Sequence, residues 1–343
     1  MLSLRNIGLL LFSFAGLAGL ASASAAEPTP AVTIRIEKSG GGIGVTVSSG
    51  GRRKTFALDA ASLRDLTRVY TTVECQDPRN CEAGEPWKTP AELEQSLKDQ
   101  GAKFFGPMAQ EIREGGAIGF KVEPSLLQLP FDALYSDGKP LFVQKPVFFT
   151  VDDAAHEAKP VPLKDARGIL VSDETADPER GVFAVSKLYP KAKTFDIAEF
   201  SFKTLAGLEP QDFILISAHS STGNGPEDYI GIADGQMLTA ANLARLKPTL
   251  VYFDSCKLGT SQAFLTAFKE AGAKVLFAPA LSNEAGSSST RTIAAVFDNL
   301  SKGADPVTAL FRARTGLYET HHADELPKLL WRAFPFRVYL LNQ

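Results

Sequence analysis

Four short, almost unbroken apolar runs lie between residues 168 and 277: Gly168-Ile169-Leu170-Val171, Phe213-Ile214-Leu215-Ile216, Leu250-Val251-Tyr252-Phe253 and Val275-Leu276-Phe277. A strand with one face in water alternates apolar and polar residues, whereas a strand covered on both faces reads as continuous apolar sequence. These runs are also too short for core helices. Helical patterns follow at Gln262 to Ala271, Ala285 to Leu300 and Asp305 to Tyr318. Strands buried on both faces and spaced by helices predict an α/β fold with a mostly parallel sheet flanked by helices. The chain has 343 residues, 44% of them hydrophobic and 22% charged, which is material enough for such a core.

The N-terminal part reads differently. Val32-Thr33-Ile34-Arg35-Ile36 and Ile43-Gly44-Val45-Thr46-Val47 alternate with period two, and Gly40-Gly41-Gly42 separates them. That is a β-hairpin signal. The glycine cluster is not a phosphate loop, because no Gly-Lys-Ser/Thr follows it. Leu58 to Leu66 turns helical, and residues 91–101 and 102–114 read as two further helices. Residues 27–90 are therefore expected to form a small β-rich region, a subdomain in preference to extra strands on the main sheet, and residues 91–343 the main domain. Formal net charge is only −3, from 36 basic and 39 acidic residues. That excludes the broad basic footprint of a nucleic-acid binder.

Residues 1–26 have the pattern of a leader. Arg5 precedes the uncharged apolar stretch Ile7 to Ala21, and small residues follow at Ala23, Ala25 and Ala26. This is the signature of a secretory signal peptide, and the stretch is shorter than the roughly 20 residues of a spanning helix. An exported protein, periplasmic or extracellular, with no integral membrane segment after cleavage, is the expectation. In that compartment Cys75 and Cys81, close together in a polar stretch with Pro78, read as a local disulfide. A metal site there is the weaker reading, since no His or third Cys stands nearby. Pairing them leaves Cys256 over, either a buried inert thiol, a partner for another chain, or a chemically employed one.

Ligands of open α/β sheets gather beyond the carboxyl ends of the strands. Phe213 to Ile216 runs out through Ser217-Ala218 into His219, and Leu250 to Phe253 through Asp254-Ser255 into Cys256. If the two strands are neighbours, imidazole and thiol share one edge, and an imidazolium favours the thiolate that acts as nucleophile. Singly, Cys256 fits a core position and His219 a strand cap; their joint placement and the odd cysteine favour a functional pair. His156 lies in a charged loop and His321-His322 in a polar segment, both read as surface. Neither has metal-ligand spacing, so no metal or other cofactor is expected.

At these residues the sequence resembles the caspase-like cysteine peptidases, in particular the CHAT-domain branch. Leu215-Ile216-Ser217-Ala218-His219 resembles the strand ending in the catalytic His, and Val251-Tyr252-Phe253-Asp254-Ser255-Cys256-Lys257-Leu258-Gly259 the strand ending in the nucleophile. Leu129-Pro130-Phe131-Asp132-Ala133-Leu134 resembles the "LPFEAL" segment, and Phe268-Lys269-Glu270-Ala271-Gly272-Ala273-Lys274-Val275 the "gaGa-strand" turn after the cysteine helix. Ala309-Leu310-Phe311-Arg312-Ala313-Arg314 resembles the late "A-x-x-x-A-R" helix. The likeness runs over roughly residues 95 to 340, in order. It implies a caspase-like fold, Cys256 as nucleophile, His219 as general base and acid, and the backbone N–H groups of Ser220 and Cys256 as oxyanion donors. Ser220 stands where the family usually has Gly. Asp254 matches the metacaspase-type residue that lines the pocket for a basic P1 side chain, which implies cleavage of protein or peptide substrates after Arg or Lys. A cap of the turn or the following helix is the plainer role for Asp254. Two other classes compete: a non-catalytic binding module of the same fold, and a redox protein using Cys75 and Cys81, whose spacing is too wide for C-x-x-C.

Overall fold

The computed structural model describes residues 32–81, 85–154, 156–163, 165–222 and 228–342. The leader expected at residues 1–26 lies outside them. Among the described residues one sheet has eleven strands. They are β1 (Val32–Ser39), β2 (Gly42–Ser49), β3 (Arg52–Leu58), β4 (Ile118–Val122), β5 (Val147–Thr150) and β6 (Gly168–Ser172), then β7 (Lys193–Asp196), β8 (Phe213–Ser217), β9 (Leu250–Asp254), β10 (Val275–Pro279) and β11 (Phe336–Leu340). The order across the sheet is β3-β2-β1-β4-β5-β11-β10-β9-β8-β6-β7. Pairs β1–β2, β2–β3 and β10–β11 are antiparallel, and the other neighbours are parallel. The chain is thus mixed α/β, with a large, mostly parallel central sheet and an N-terminal β region.

That N-terminal region is the continuation of the central sheet rather than a separate sheet. β1 lies parallel to β4, with Val32 opposite Ile118, Ile34 opposite Phe120 and Ile36 opposite Val122. All six side chains are buried, so the alternating apolar set has found its cover by extending the main sheet. At the far edge β3 exposes Arg52, Arg53 and Lys54, charges that discourage another chain from adding there.

Side-chain alternation sorts the central strands between two cores. Ile169 and Val171, Ile214 and Ile216, Val251 and Phe253, and Leu276 face one side, where α4 (Gln262–Glu270) adds Phe264, Leu265 and Phe268. Leu170, Phe213, Leu215, Leu250, Tyr252, Val275 and Phe277 face the other. There α3 (Gly181–Leu188), α5 (Ser287–Ser301) and α6 (Pro306–Thr320) contribute Val182, Val185, Ile293, Val296, Phe297, Ala309 and Leu310. Each fully buried Leu, Ile, Val or Phe contributes about 1.5–3 kcal/mol. Two covered faces are the reason the strands could be read as continuous apolar runs.

Two helix boundaries depart from expectation. α1 (Ala60–Glu74) continues past Leu66 to the first cysteine. Residues 91–101 and part of 102–114 form one helix, α2 (Pro90–Phe105). Gly101 does not end it. A Cβ there would lie 2.1 Å from the Tyr135 carbonyl oxygen, so the glycine is needed for close packing.

Two of the motifs quoted above meet in a buried ion cluster. Asp132 is buried and pairs with Arg314 Nη2 at 2.9 Å and with Arg337 Nη2 at 3.1 Å. Arg337 Nη2 also donates to the Leu129 carbonyl at 2.8 Å. The turn of residues 129–134 and the Ala313-Arg314 helix are thus tied together, and removing one member would leave a buried charge uncompensated.

Five strands position the site. In the order β7-β6-β8-β9-β10 the chain runs from β6 outward to β7, then returns past β6 to build β8, β9 and β10. The direction of winding therefore reverses between β6 and β8, the place beyond the carboxyl ends where open α/β sheets bind their ligands.

Candidate active site

His219 and Cys256 leave neighbouring strands at the same edge. β8 and β9 are parallel, and Ser217 lies directly opposite Asp254. The pairing continues beyond the strands: the Ala218 N–H donates to the Asp254 carbonyl at 3.2 Å, and Ser220 Oγ donates to the Cys256 carbonyl at 2.7 Å. Ser220 opens a small antiparallel sheet of residues Ser220–Ser221, Tyr229–Gly231 and Met237–Thr239. His219 is exposed, and the Cys256 thiol is half-buried.

The turn after Cys256 is fixed by its own chemistry. Lys257 adopts φ +61°, a conformation that costs a non-glycine residue something and is held here by tertiary contacts. Its Nζ lies 2.9 Å from Glu74 Oε2, and Glu74 is buried, also accepting from Ser282 N at 2.6 Å and Ser282 Oγ at 3.0 Å. Gly259 follows, and a Cβ there would stand 2.9 Å from the carbonyl oxygens of Ala278 and Pro279. Ser261 then caps α4 by accepting from the Phe264 N–H at 3.2 Å. Through Glu74, the end of α1 therefore braces a turn far along the chain.

Asp254 is 2% exposed. Its Oδ2 accepts from Ser217 Oγ at 2.6 Å, and its Oδ1 from Asn283 Nδ2 at 2.6 Å and from Ser289 Oγ. The residue thus ties β8, β9 and the start of α5 together directly under the cysteine turn. Burial pushes its carboxyl up to about 6, against the pull of the Ser217 and Ser289 hydroxyls, and the nearby Asp177 charge adds to the rise. Burial likewise pushes the Cys256 thiol up. The backbone N–H of Asn283 faces the sulfur and opposes that rise, whereas the Asp254 and Glu74 carboxylates add to it. The resting thiol is thus biased toward its protonated form.

His219 makes its described side-chain hydrogen bond elsewhere. Nε2 lies 3.0 Å from Thr175 Oγ1, and Thr175 Oγ1 donates to Asp173 Oδ1 at 2.6 Å. No hydrogen bond joins the imidazole to the Cys256 sulfur among the described residues. No family profile matches this chain, and no curated protein matches it.

Cys75 and Cys81 are joined by a disulfide. It closes the loop that leaves α1 immediately after Glu74, so the clamp stands beside the site. Within the loop Asp77 caps the Pro78–Asn80 turn and binds Arg79. Asp77 raises the Arg79 guanidinium, and a Cys256 thiolate would raise it further. His156, read as a surface residue, has a buried imidazole with Nε2 2.6 Å from Asp152 Oδ1; Lys269 pairs with the same carboxylate. Among the described residues no cluster of three or more His, Cys, Asp or Glu is arranged to hold a metal ion, and no helix is long and apolar enough to cross a membrane.

Glu74, Arg79, Asp173, Thr175 and Asn283 were not singled out in the sequence. Asp173 and Thr175 follow β6 just as His219 follows β8, so the strand-end rule could have found them. Glu74 and Arg79 carry no such signal, because nothing local says that α1 ends at this edge.

Proposed function

We propose that this chain is an exported cysteine endopeptidase of the caspase-like, CHAT-domain kind, with Cys256 as nucleophile and His219 as the proton carrier. The observation that carries the reading is the β8–β9 register, Ser217 opposite Asp254, which brings the His219 and Cys256 turns to the same edge of the sheet, beside the strand-order reversal between β6 and β8. In the reaction His219 takes the thiol proton, and the sulfur adds to the peptide carbonyl carbon. The carbon–nitrogen bond then breaks, the amine leaves with the proton from His219, and water hydrolyses the thioester. Backbone N–H groups of Cys256 and Ser220 would hold the oxyanion, as the resemblance implies. A thiol raised by burial loses its proton in concert with substrate binding rather than standing as a resting thiolate. The Cys75–Cys81 disulfide supports an oxidising compartment.

Cleavage after Arg or Lys rests on the resemblance. A guanidinium could pair with Asp254, but it would have to displace hydrogen bonds from Ser217, Asn283 and Ser289. The nucleophile, not the P1 preference, is therefore the firmer half of the proposal. The alternative is a non-catalytic binding module, favoured by the Thr175 contact that occupies His219 Nε2. Acyloxymethyl ketones with a basic or a neutral P1 group separate these readings. An adduct on Cys256 with the basic reagent only, absent in Cys256→Ala, supports the full proposal. Equal adducts with both reagents keep the peptidase and remove the specificity role of Asp254. No adduct with either reagent favours the binding module.

A further inference from the structure

Asp173 and Thr175 lie in the loop leaving β6, the strand on the far side of the winding reversal. The loop is held at both ends. The Asp173 N–H donates to the Ser217 carbonyl at 2.9 Å, two residues before His219, and the Asp173 carbonyl accepts from Ala176 at 3.0 Å and Asp177 at 2.8 Å. Asp177 is buried and caps α3 by accepting from Gly181 at 2.7 Å and Val182 at 2.9 Å. Within the loop Asp173 Oδ1 accepts both the Thr175 N–H at 2.8 Å and the Thr175 hydroxyl at 2.6 Å. Thr175 Oγ1 then lies 3.0 Å from His219 Nε2.

Proton counting settles the direction of these bonds. A carboxylate only accepts, so the single hydroxyl proton of Thr175 points to Asp173. Oγ1 is left with lone pairs toward the imidazole, so Nε2 must carry its proton and donate. The opposite assignment would turn the Thr175 proton toward a neutral nitrogen and give up the shorter, charge-assisted bond to Asp173. With Nε2 protonated, the lone pair of the neutral ring resides on Nδ1.

We infer that Thr175 and Asp173 are positioning residues for His219, holding Nε2–H so that Nδ1 is the nitrogen that takes the proton from Cys256. The inference rests on the Cys256–His219 reading for its catalytic meaning, but not for its geometry. On transfer the sulfur–hydrogen bond breaks, a proton joins Nδ1, and the imidazolium keeps Nε2–H against Thr175. Asp173 gains no proton. Its charge, relayed through the hydroxyl, fixes the ring, as the third member of a hydrolytic triad does.

The test uses the whole protein with 15N-labelled histidine. Long-range nitrogen–proton spectra, read from the ring-carbon protons, should show His219 in its neutral form with an unprotonated Nδ1 and a protonated Nε2. Thr175→Val should move the ring toward a mixture of the two tautomers, and Thr175→Ser should keep the wild-type nitrogen shifts. Turnover of a peptide substrate should lose about tenfold in kcat with KM unchanged in Thr175→Val and Asp173→Asn, and recover in Thr175→Ser. A protonated Nδ1 in the neutral wild-type ring, or nitrogen shifts unchanged in Thr175→Val, overturns the inference. Absence of peptide turnover in the wild type counts against the peptidase reading, and the nitrogen spectra still decide the role of Thr175.

Discussion

Asp254→Asn tests whether a buried acid lies beneath the Cys256 turn. The carboxyl is raised by burial from 3.8 to about 6 in the folded chain, and it returns to the ordinary value on unfolding. Between those two pH values the folded protein holds a proton that the unfolded chain has released. Stability from this group is therefore fully present below the unfolded value and lost as pH rises through about 6. At about 1.4 kcal/mol per pH unit the interval is worth about 3 kcal/mol. Asn cannot ionise. It can still accept from Asn283 and Ser289, and the Ser217 hydroxyl can turn to accept from its amide. Relative to the wild type, the variant should gain about 2–3 kcal/mol between about pH 4 and about pH 7.5. Urea unfolding at both pH values, with m held common, measures that difference. A gap between the two proteins that stays constant to within about 1 kcal/mol refutes the buried-acid argument.

Two further outcomes follow from the packing around the cysteine turn. Gly259→Ala should destabilise the fold by about 1–3 kcal/mol in urea unfolding, because the new Cβ meets the Ala278 and Pro279 carbonyl oxygens at 2.9 Å; an unaffected midpoint would mean the turn has room to shift. Replacing both Cys75 and Cys81 by Ser opens a loop with sequence separation 6 and should cost about 2 kcal/mol from chain entropy. Equal stability with and without reductant in the wild type would contradict that figure.

The central strands were legible because burial on both faces leaves little place for polar residues, and the two strand-end residues followed from them. β11 was not, and its reason is specific. Phe336-Arg337-Val338-Tyr339-Leu340 carries a fully buried Arg337, whose charge is matched by Asp132 some two hundred residues earlier. A charge in mid-strand hides the run until its partner is known. β7, at the sheet edge, exposes Lys193, Thr194 and Asp196, so it lacks the apolar signature. The joining of β1 to β4 was open for another reason: alternation tells that a strand is half-buried, not which strand it pairs with. At the site, the sequence placed His219 and Cys256 at strand ends but could not say that Asp254 would be enclosed by Ser217, Asn283 and Ser289. Those contacts come from three separate segments.

The most direct test of the account is the alkylation rate of Cys256 by iodoacetamide in the otherwise native protein, located by mass spectrometry and followed across neutral pH. If His219 draws the proton from the sulfur, His219→Ala should slow the reaction at Cys256 at least about tenfold while leaving the fold intact. Equal rates in the wild type and His219→Ala would leave Cys256 an ordinary free thiol and contradict the proposed chemistry.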